Sequence, residues 1–167
     1  DGIPFTGFLY AGLMIDKAGQ VKTLEFNCRM GDPETQPIMM RLKSDLVDVL
    51  MAATETQSAT PLQDIELQWD RHSAVGVVMA SNGYPASFRS GDMISGLPAD
   101  GEDTMVFHAA TKLDGNQVVT SGGRVLCVSA LGGTLKLAQQ KAYDALNHIQ
   151  FDGMQFRRDI GYRAIQR

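Results

Sequence analysis

Two apolar runs separated by a short polar turn lie near the start of the chain. Residues 7–15 (G-F-L-Y-A-G-L-M-I) are almost wholly apolar and predict a buried strand. Residues 21–27 are predicted to form the return strand, in which the apolar Leu24 and Phe26 alternate with Glu25 and Asn27. Residues 16–20 lie between the runs, and Gly19 can adopt the positive φ that a tight turn needs. The pattern therefore predicts a β-hairpin.

Helical patterns follow the hairpin. A loop containing glycine and proline is predicted at residues 28–36. Pro37 suits the first turn of a helix, where its missing N–H costs nothing. Ser44 is predicted to cap a second helix that begins at Asp45. The apolar face of that second helix consists of Leu46, Val49, Leu50 and Ala53.

The second half of the chain is rich in strand patterns. The small polar residues from Thr54 to Pro61 predict a linker at residues 55–61, which separates a domain at residues 1–54 from one at residues 62–167. Beyond the linker, short strands are predicted at residues 73–80, 104–112, 117–120 and 124–131. A helix capped by Thr134 and ending near His148 follows. The predicted fold class is α+β.

Composition excludes several classes of protein. The 167 residues carry a net charge of −4, which leaves no basic surface for nucleic acid. No apolar run approaches the ~20 residues that span a bilayer, so no membrane partner is predicted. Cys28 and Cys127 are far apart and form no metal-binding pattern. So few cysteines favour a reducing compartment, and the predicted localisation is cytoplasmic.

Candidate chemistry is concentrated at residues 24–37, L-E-F-N-C-R-M-G-D-P-E-T-Q-P. Glu25 and Asn27 are two residues apart in a strand, so they share a face and stand ~7 Å apart. Arg29 keeps the same parity if the strand continues that far. A carboxylate and an amide oxygen suit Mg²⁺, and a guanidinium can grip phosphate oxygens. Taken alone, Glu25 and Asn27 are better explained as polar residues on the solvent-exposed face of a half-buried strand, and Arg29 could be a surface ion-pair partner.

These motifs resemble a known family. E-F-N-x-R followed by G-D-P-E-T-Q-P is similar to the metal-binding strand and following loop of ATP-grasp ligases. The longer strings F-T-G-F-L-Y-A-G-L-M-I, T-Q-P-I-M-M-R-L-K-S-D-L, G-V-V-M-A-S-N-G-Y-P and R-R-D-I-G-Y-R-A resemble the phosphoribosylamine–glycine ligase family. The resemblance covers nearly all of the chain.

The resemblance implies an architecture and a reaction. Residues 1–54 would be the C-terminal part of an ATP-grasp module, a hairpin plus helix, and residues 62–167 the small β-rich C-terminal domain with a packed helix. The family joins glycine to 5-phosphoribosylamine with ATP, giving glycinamide ribonucleotide, ADP and phosphate in de novo purine synthesis. The implied intermediate is glycyl phosphate. The implied cofactors are ATP and Mg²⁺ or Mn²⁺.

The resemblance also assigns roles to residues of the loop and strand. Glu25 and Asn27 would be metal ligands, and Arg29 would be a catalytic residue at the transferring phosphoryl group. Substrate or phosphate contacts are assigned to Gly31, Asp32 and Glu34. That loop could instead be a rigid turn, or its carboxylates could position Arg29.

The chain is expected to be a fragment that needs the missing N-terminal half of the same protein. Alone it is expected to be inactive, and its exposed hairpin is expected to allow self-association. Two alternatives stay open: another ATP-grasp ligase or carboxylase of purine synthesis, or a non-catalytic β-rich interaction module.

Overall fold

The computed structural model describes residues 2–54 and 60–166, which fall into two compact units. The first unit contains the chain up to residue 35 together with residues 42–69, and the second contains residues 36–41 and the chain from residue 70 onward. Five of the seven residues of the predicted linker, 55–59, lie outside the described residues. The predicted domain boundaries therefore remain predictions.

The first unit contains the predicted hairpin. Strands β1 (Tyr10–Ile15) and β2 (Val21–Asn27) pair in an antiparallel ladder. The Asp16 carboxylate orders the turn, since its Oδ1 accepts hydrogen bonds from the backbone N–H groups of Ala18 and Gln20, each at 2.9 Å. Gly19 has a φ of 79°, the positive value that the sequence predicts for this turn.

A β-bulge interrupts the hairpin at Leu24. Gly12 pairs with Glu25, whereas the next residue of β1, Leu13, pairs with Thr23. Leu24 is therefore the extra residue of β2 and has no partner of its own in the ladder. A bulge bends the strand and changes the side on which the following side chains emerge.

The prediction that residues 7–15 form a buried strand is wrong. In β1 the side chains of Leu13 and Met14 are 51% and 52% exposed, although they lie on opposite faces of the ladder. Phe26 of β2 is 63% exposed. The physical reason is that the ladder has only two strands. Within the described part of this unit too little other chain packs on it to bury any residue of either strand.

Two short helices follow, α1 (Thr35–Arg41) and α2 (Leu46–Thr54). The predicted Ser44 cap is wrong, because the Asp45 carboxylate accepts the hydrogen bond from the backbone N–H of Val47, at 2.8 Å. The Ser44 hydroxyl instead accepts from the backbone N–H of Gln68, also at 2.8 Å. Helix α2 therefore begins one residue later than predicted.

The second unit is built on a three-stranded antiparallel sheet in which β7 lies between β3 and β4. A separate hairpin is formed by β5 and β6. The strands are β3 (Ser73–Ala80), β4 (Thr104–His108), β5 (Thr111–Asp114), β6 (Gln117–Thr120) and β7 (Arg124–Gly132). The single strand predicted at residues 104–112 is wrong, because the backbone N–H of Thr111 donates to the carbonyl of Ala109 and turns the chain away from β7.

Helix α3 (Leu135–Leu146) covers one face of this sheet. Its predicted cap is confirmed, since the Thr134 hydroxyl accepts from the backbone N–H of Leu137 at 3.2 Å. Every residue of β7 after Arg124 is buried, as expected for a central strand. The buried core between helix and sheet includes Val75, Val77, Met79, Leu126, Val128, Ala130, Ala138, Ala142, Leu146 and Ile149.

Helix α1 contributes to the same unit from residue 36 onward. The Cδ atom of Pro37 lies 3.4 Å from where a Cβ on Gly76 of β3 would be, and Cys127 and Ser129 of β7 line the same spot. A last short helix, α4 (Tyr162–Ile165), ends the described chain. The α+β class with antiparallel sheets is confirmed. No helix within residues 2–54 and 60–166 is long and apolar enough to cross a bilayer.

Candidate functional site

The end of β2 brings the two predicted metal ligands to one face of the hairpin. Glu25 pairs with Gly12, and Asn27 pairs with Tyr10. Directly opposite residues of an antiparallel ladder share a face, so all four lie on the same side. A Cβ on Gly12 would lie 3.1 Å from Cγ of Glu25, which shows that the glutamate side chain extends across the glycine. The missing side chain at Gly12 therefore leaves room for this carboxylate.

Arg29 reaches this face by its side chain and not by strand parity. Strand β2 ends at Asn27, and Arg29 lies in the bend beyond it. Its Nη2 donates to Oδ1 of Asn27 at 3.4 Å, and its Nη1 donates to the carbonyl of Met30 at 2.9 Å. The guanidinium is exposed and carries five N–H donors in all, so these two bonds leave donors for an anion.

The loop after β2 folds tightly over Gly31. The carbonyl of Gly31 accepts from both the backbone N–H of Thr35, at 3.0 Å, and its hydroxyl, at 2.5 Å. A Cβ on Gly31 would lie 2.9 Å from Cδ of Glu34 and 2.9 Å from Cε2 of Tyr10. Real Cβ atoms do not approach other atoms so closely. Residue 31 must therefore be a glycine for this packing to exist.

Sequence reasoning missed Tyr10. Its hydroxyl donates to Oε1 of Glu34 at 3.3 Å, which joins β1 to a loop 24 residues away. The Glu34 carboxylate is the main cause of a raised pKa of the Tyr10 phenol, with desolvation, the hydrogen bond to Glu34 and the charge of Glu25 adding to it. Arg29 acts in the opposite direction. Tyr10 therefore lies within the electrostatic reach of all three charged residues.

The donor set fits a magnesium ion shared with phosphates. Glu25 and Asn27 offer a carboxylate and an amide oxygen, the hard ligands that Mg²⁺ takes. The Asn27 Nδ2 atom is buried without a hydrogen-bond partner, whereas Oδ1 is the amide atom that meets Arg29. In the described ranges no three histidine, cysteine or acidic side chains converge on one point. The ion would therefore need ligands beyond these residues, as Mg²⁺ commonly finds in waters and substrate phosphates.

Arginines of the C-terminal tail are engaged locally. The guanidinium of Arg157 forms a two-pronged ion pair with Asp159, at 2.9 and 2.7 Å. Arg158 lies over the ring of Phe156, and Nε of Arg163 donates to the hydroxyl of Tyr162. These three arginines are therefore paired with carboxylate, aromatic and hydroxyl groups of the tail itself.

The hairpin, which a family model for an ATP-grasp domain matches, and the antiparallel sheet with one packed helix that follows it define a class: the C-terminal region of an ATP-grasp protein. A solved biotin carboxylase from Campylobacter jejuni in complex with β,γ-ATP has this fold, with a TM-score of 0.63 over 96% of this chain and 35% of that one. Its sequence identity is 12%, so the likeness concerns the fold alone.

Two family models identify the family of this chain more specifically than the fold does. A family model described as phosphoribosylglycinamide synthetase, C domain, matches residues 74–163, and the model for the ATP-grasp (A) domain of the same synthetase matches residues 1–35. This chain belongs to the phosphoribosylglycinamide synthetase family.

The relatives of this chain are much longer than the chain itself. A phosphoribosylamine–glycine ligase of Ralstonia nicotianae is 60% identical over all 167 residues, and one of Escherichia coli O157:H7 is 57% identical. The chain covers only 39% and 38% of their respective lengths. A solved phosphoribosylamine–glycine ligase of Thermotoga maritima is 34% identical, with a TM-score of 0.72 over 90% of this chain and 36% of that one.

Proposed function

We propose that this chain is part of a ligase that joins glycine to 5-phosphoribosylamine with cleavage of ATP to ADP and phosphate. One observation carries the proposal. Arg29 donates a hydrogen bond to Asn27 at the end of β2, on the face that also carries Glu25, within a chain that is 60% identical over its full length to a ligase of that name. Membership of the family favours this function over a non-catalytic interaction module.

In this proposal each residue at the strand end has one task. Glu25 and Asn27 would hold Mg²⁺ or Mn²⁺ by their side-chain oxygens. When bound, the metal would neutralise charge between an anionic carboxylate and the γ-phosphate of ATP. Arg29 donates its remaining N–H groups to the transferring phosphoryl group, whose charge grows in the transition state. The hydrogen bond from Arg29 to Asn27 aims the guanidinium toward that place.

The loop Gly31, Asp32 and Glu34 is proposed to contact the substrate or its phosphate. Gly31 is buried, and Asp32 and Glu34 are half-buried. Glu34 is held by Tyr10, so its carboxylate has a fixed place beside the strand end. In the proposed chemistry the glycine carboxylate takes the γ-phosphoryl group of ATP, which releases ADP and gives glycyl phosphate. The amine of 5-phosphoribosylamine then attacks the acyl carbon, and inorganic phosphate leaves. A fixed carboxylate beside that reaction can orient an amine by a charge-assisted hydrogen bond.

The remaining length of the relatives is proposed to supply the other walls of the site. The strand end offers metal ligands and a guanidinium, and a half-site open to water holds a nucleotide weakly. We therefore expect the 167-residue chain alone to lack ligase activity and tight ATP binding. Calorimetry with ATP and Mg²⁺ measures this directly, and micromolar binding to the isolated chain would contradict it. The ligase is proposed to act in the cytoplasm.

A chimera tests the function. This chain replaces its aligned residues in the Ralstonia nicotianae relative, and production of glycinamide ribonucleotide is measured. We expect an active chimera that loses nearly all turnover in the Glu25→Gln variant, because the charge at the metal is removed while the shape is kept. Glu66→Gln changes an exposed glutamate of the same unit and is the matched control. An inactive chimera that folds as the parent relative does would refute the proposal.

Self-association of the isolated chain is a separate proposal. Both outer edges of the β1–β2 ladder lack a strand partner in the described unit, and its apolar side chains are exposed. Such an edge can pair with that of another copy. Native mass spectrometry is expected to show dimers that a Leu13→Lys variant disperses, whereas a monomer at all concentrations would contradict this.

A further inference from the structure

Tyr10 of β1, which the sequence did not single out, contacts several residues of the candidate site. It pairs with Asn27 across the ladder, and its hydroxyl donates to Oε1 of Glu34. Its ring packs against the backbone of Gly31, at the place where a side chain would collide. One half-buried side chain of β1 therefore meets both the strand that carries the predicted ligands and the loop that follows it.

The loop is fixed from its other end as well. Thr35 binds the carbonyl of Gly31 through both its N–H and its hydroxyl, which ties the start of α1 back to the glycine. Glu34 immediately precedes Thr35, so its backbone is set by these bonds. Its carboxylate retains rotational freedom that only a side-chain contact can remove, and ordering such a flexible side chain costs free energy. The described contact that does this is the Tyr10 hydroxyl.

Gly31 is the residue that allows this arrangement. Among the described residues of the first unit it alone is buried, and the atoms above it belong to Glu34 and Tyr10. A methyl group at this position would push apart the two side chains that meet there. The glycine, the phenol and the carboxylate form one packed triad, which we call the Tyr10–Gly31–Glu34 clamp.

We propose that Tyr10 is a positioning residue, whose ring and hydroxyl hold the Glu34 carboxylate over Gly31 on the face of the hairpin that carries Glu25 and Asn27. Its effect on turnover rests on the proposed ligase function. The clamp itself does not, because its contacts lie within this chain.

The kinetic test is a double-mutant cycle in the chimera. Tyr10→Phe keeps the ring and removes the hydroxyl, and Glu34→Gln keeps the shape and removes the charge. We expect Tyr10→Phe to lower kcat/KM about tenfold, which is the size of a lost hydrogen bond to a charged group. The double variant is expected to lose no more than Glu34→Gln alone, because the hydroxyl acts through that carboxylate. Tyr84→Phe, in the second unit, is the matched control and should keep the parent's activity.

A second measurement needs no activity. Backbone hydrogen exchange over residues 28–36 is followed in the substrate-free chimera. We expect faster exchange in Tyr10→Phe and in Gly31→Ala, with Gly133→Ala as the control, since a Cβ at Gly133 meets no atom within 4 Å. The unfolding temperature of Tyr10→Phe is expected to stay within a few degrees of the parent's, so that a general loss of fold is excluded.

The outcomes separate the two proposals. If the parent chimera folds but is inactive, the ligase function fails, and the exchange experiment alone decides on the clamp. If the chimera is active, unchanged kinetics in Tyr10→Phe, or strictly additive losses in the double variant, overturn the positioning role. Unchanged exchange in both Tyr10→Phe and Gly31→Ala overturns the clamp itself.

Discussion

Each of the two units contains an antiparallel strand pair, yet the pairs are stabilised differently. In the second unit β3 and β7 lie under α3, and Val77, Val128 and Leu146 are fully buried. In the first unit β1 and β2 expose apolar side chains on both faces, and Gly31 is the one buried residue among those described. The second pair is fixed by packing, the first by its turn, its ladder and the Tyr10–Gly31–Glu34 clamp.

The two units also differ in which of them carries the residues proposed to bind metal and phosphate. The residues proposed for metal and phosphate contact lie in the poorly buried unit, whereas the well-packed unit contains few charged groups in its core. Exposed apolar patches commonly mark surfaces that another protein segment covers. The contrast supports the proposal that the additional sequence of the relatives packs against the hairpin and completes the site.

The largest contrast is expected from matched leucine truncations. Leu146→Ala removes a fully buried side chain of α3 and should lower the free energy of unfolding by about 2–5 kcal/mol. Leu13→Ala in β1 should change it by less than about 0.5 kcal/mol in this chain. Urea unfolding followed by circular dichroism measures both. In the chimera, Leu13→Ala should lower the free energy of unfolding by more than about 1 kcal/mol, because the additional sequence is proposed to cover β1. Equal losses in the isolated chain and in the chimera would show that nothing covers β1.

Two adjacent glycines give the next largest effect. A Cβ on Gly132, at the end of β7, would lie 2.9 Å from backbone atoms of both Leu137 and Ala138 in α3. Gly132→Ala must therefore push the helix from the sheet, at a cost of about 1–3 kcal/mol. Gly133→Ala meets open space and should be nearly neutral. The same unfolding measurement applies, and a neutral Gly132→Ala would mean that α3 is less closely packed than described.

Helix caps provide a smaller effect of the same kind. Thr134→Ala removes the cap of α3 and should cost about 1 kcal/mol of global stability, because α3 is part of the core. Asp45→Ala removes the cap of α2, which has no buried residue. We expect that change to speed hydrogen exchange in α2 without changing the free energy of unfolding. If Asp45→Ala lowers the free energy of unfolding of the chain, α2 unfolds together with the rest of the structure and not separately.

The smallest expected effect is electrostatic and concerns Tyr10. The folded-state pKa of its phenol lies above the usual 10.0, mainly because Glu34 is close. The contribution of this group to stability is thus fully present below pH 10 and is lost as the pH rises through the raised pKa. Glu34→Gln should move the pKa back toward 10.0. NMR titration of ¹³C-labelled tyrosine measures this, and an unmoved pKa of Tyr10 would contradict the contact.

Local patterns in the sequence predict much of this fold. The hairpin, β3, β6, β7 and the Thr134 cap depend on nearest-neighbour chemistry and are confirmed. The break at Ala109 and Ala110 contains no glycine or proline, so nothing local marks the turn that separates β4 from β5. The exposure of β1 depends on what lies over it, which its own apolar pattern cannot reveal.

Some residues of the candidate site could likewise be predicted from local sequence, and others could not. Strand alternation places Glu25 and Asn27 together from sequence alone. Tyr10 could not be found that way, because its link to Glu34 depends on the register of the hairpin and on the loop folding back over Gly31. The signal that exists is weak: it is a tyrosine within an otherwise apolar strand. The metal, phosphate and substrate roles remain predictions.

The bulge at Leu24 restricts how the hairpin can change in length over evolution. Losing or gaining two residues at the turn would keep Glu25 and Asn27 beside Tyr10, because strands repeat every second residue. Deleting Leu24 alone would remove the bulge but leave Thr23 opposite Leu13 and Glu25 opposite Gly12, so that Glu25 and Asn27 keep their face. We therefore expect a single-residue gap in β2 of functional members of the family to occur at Leu24 and not at the paired positions, and paired gaps to occur at the turn.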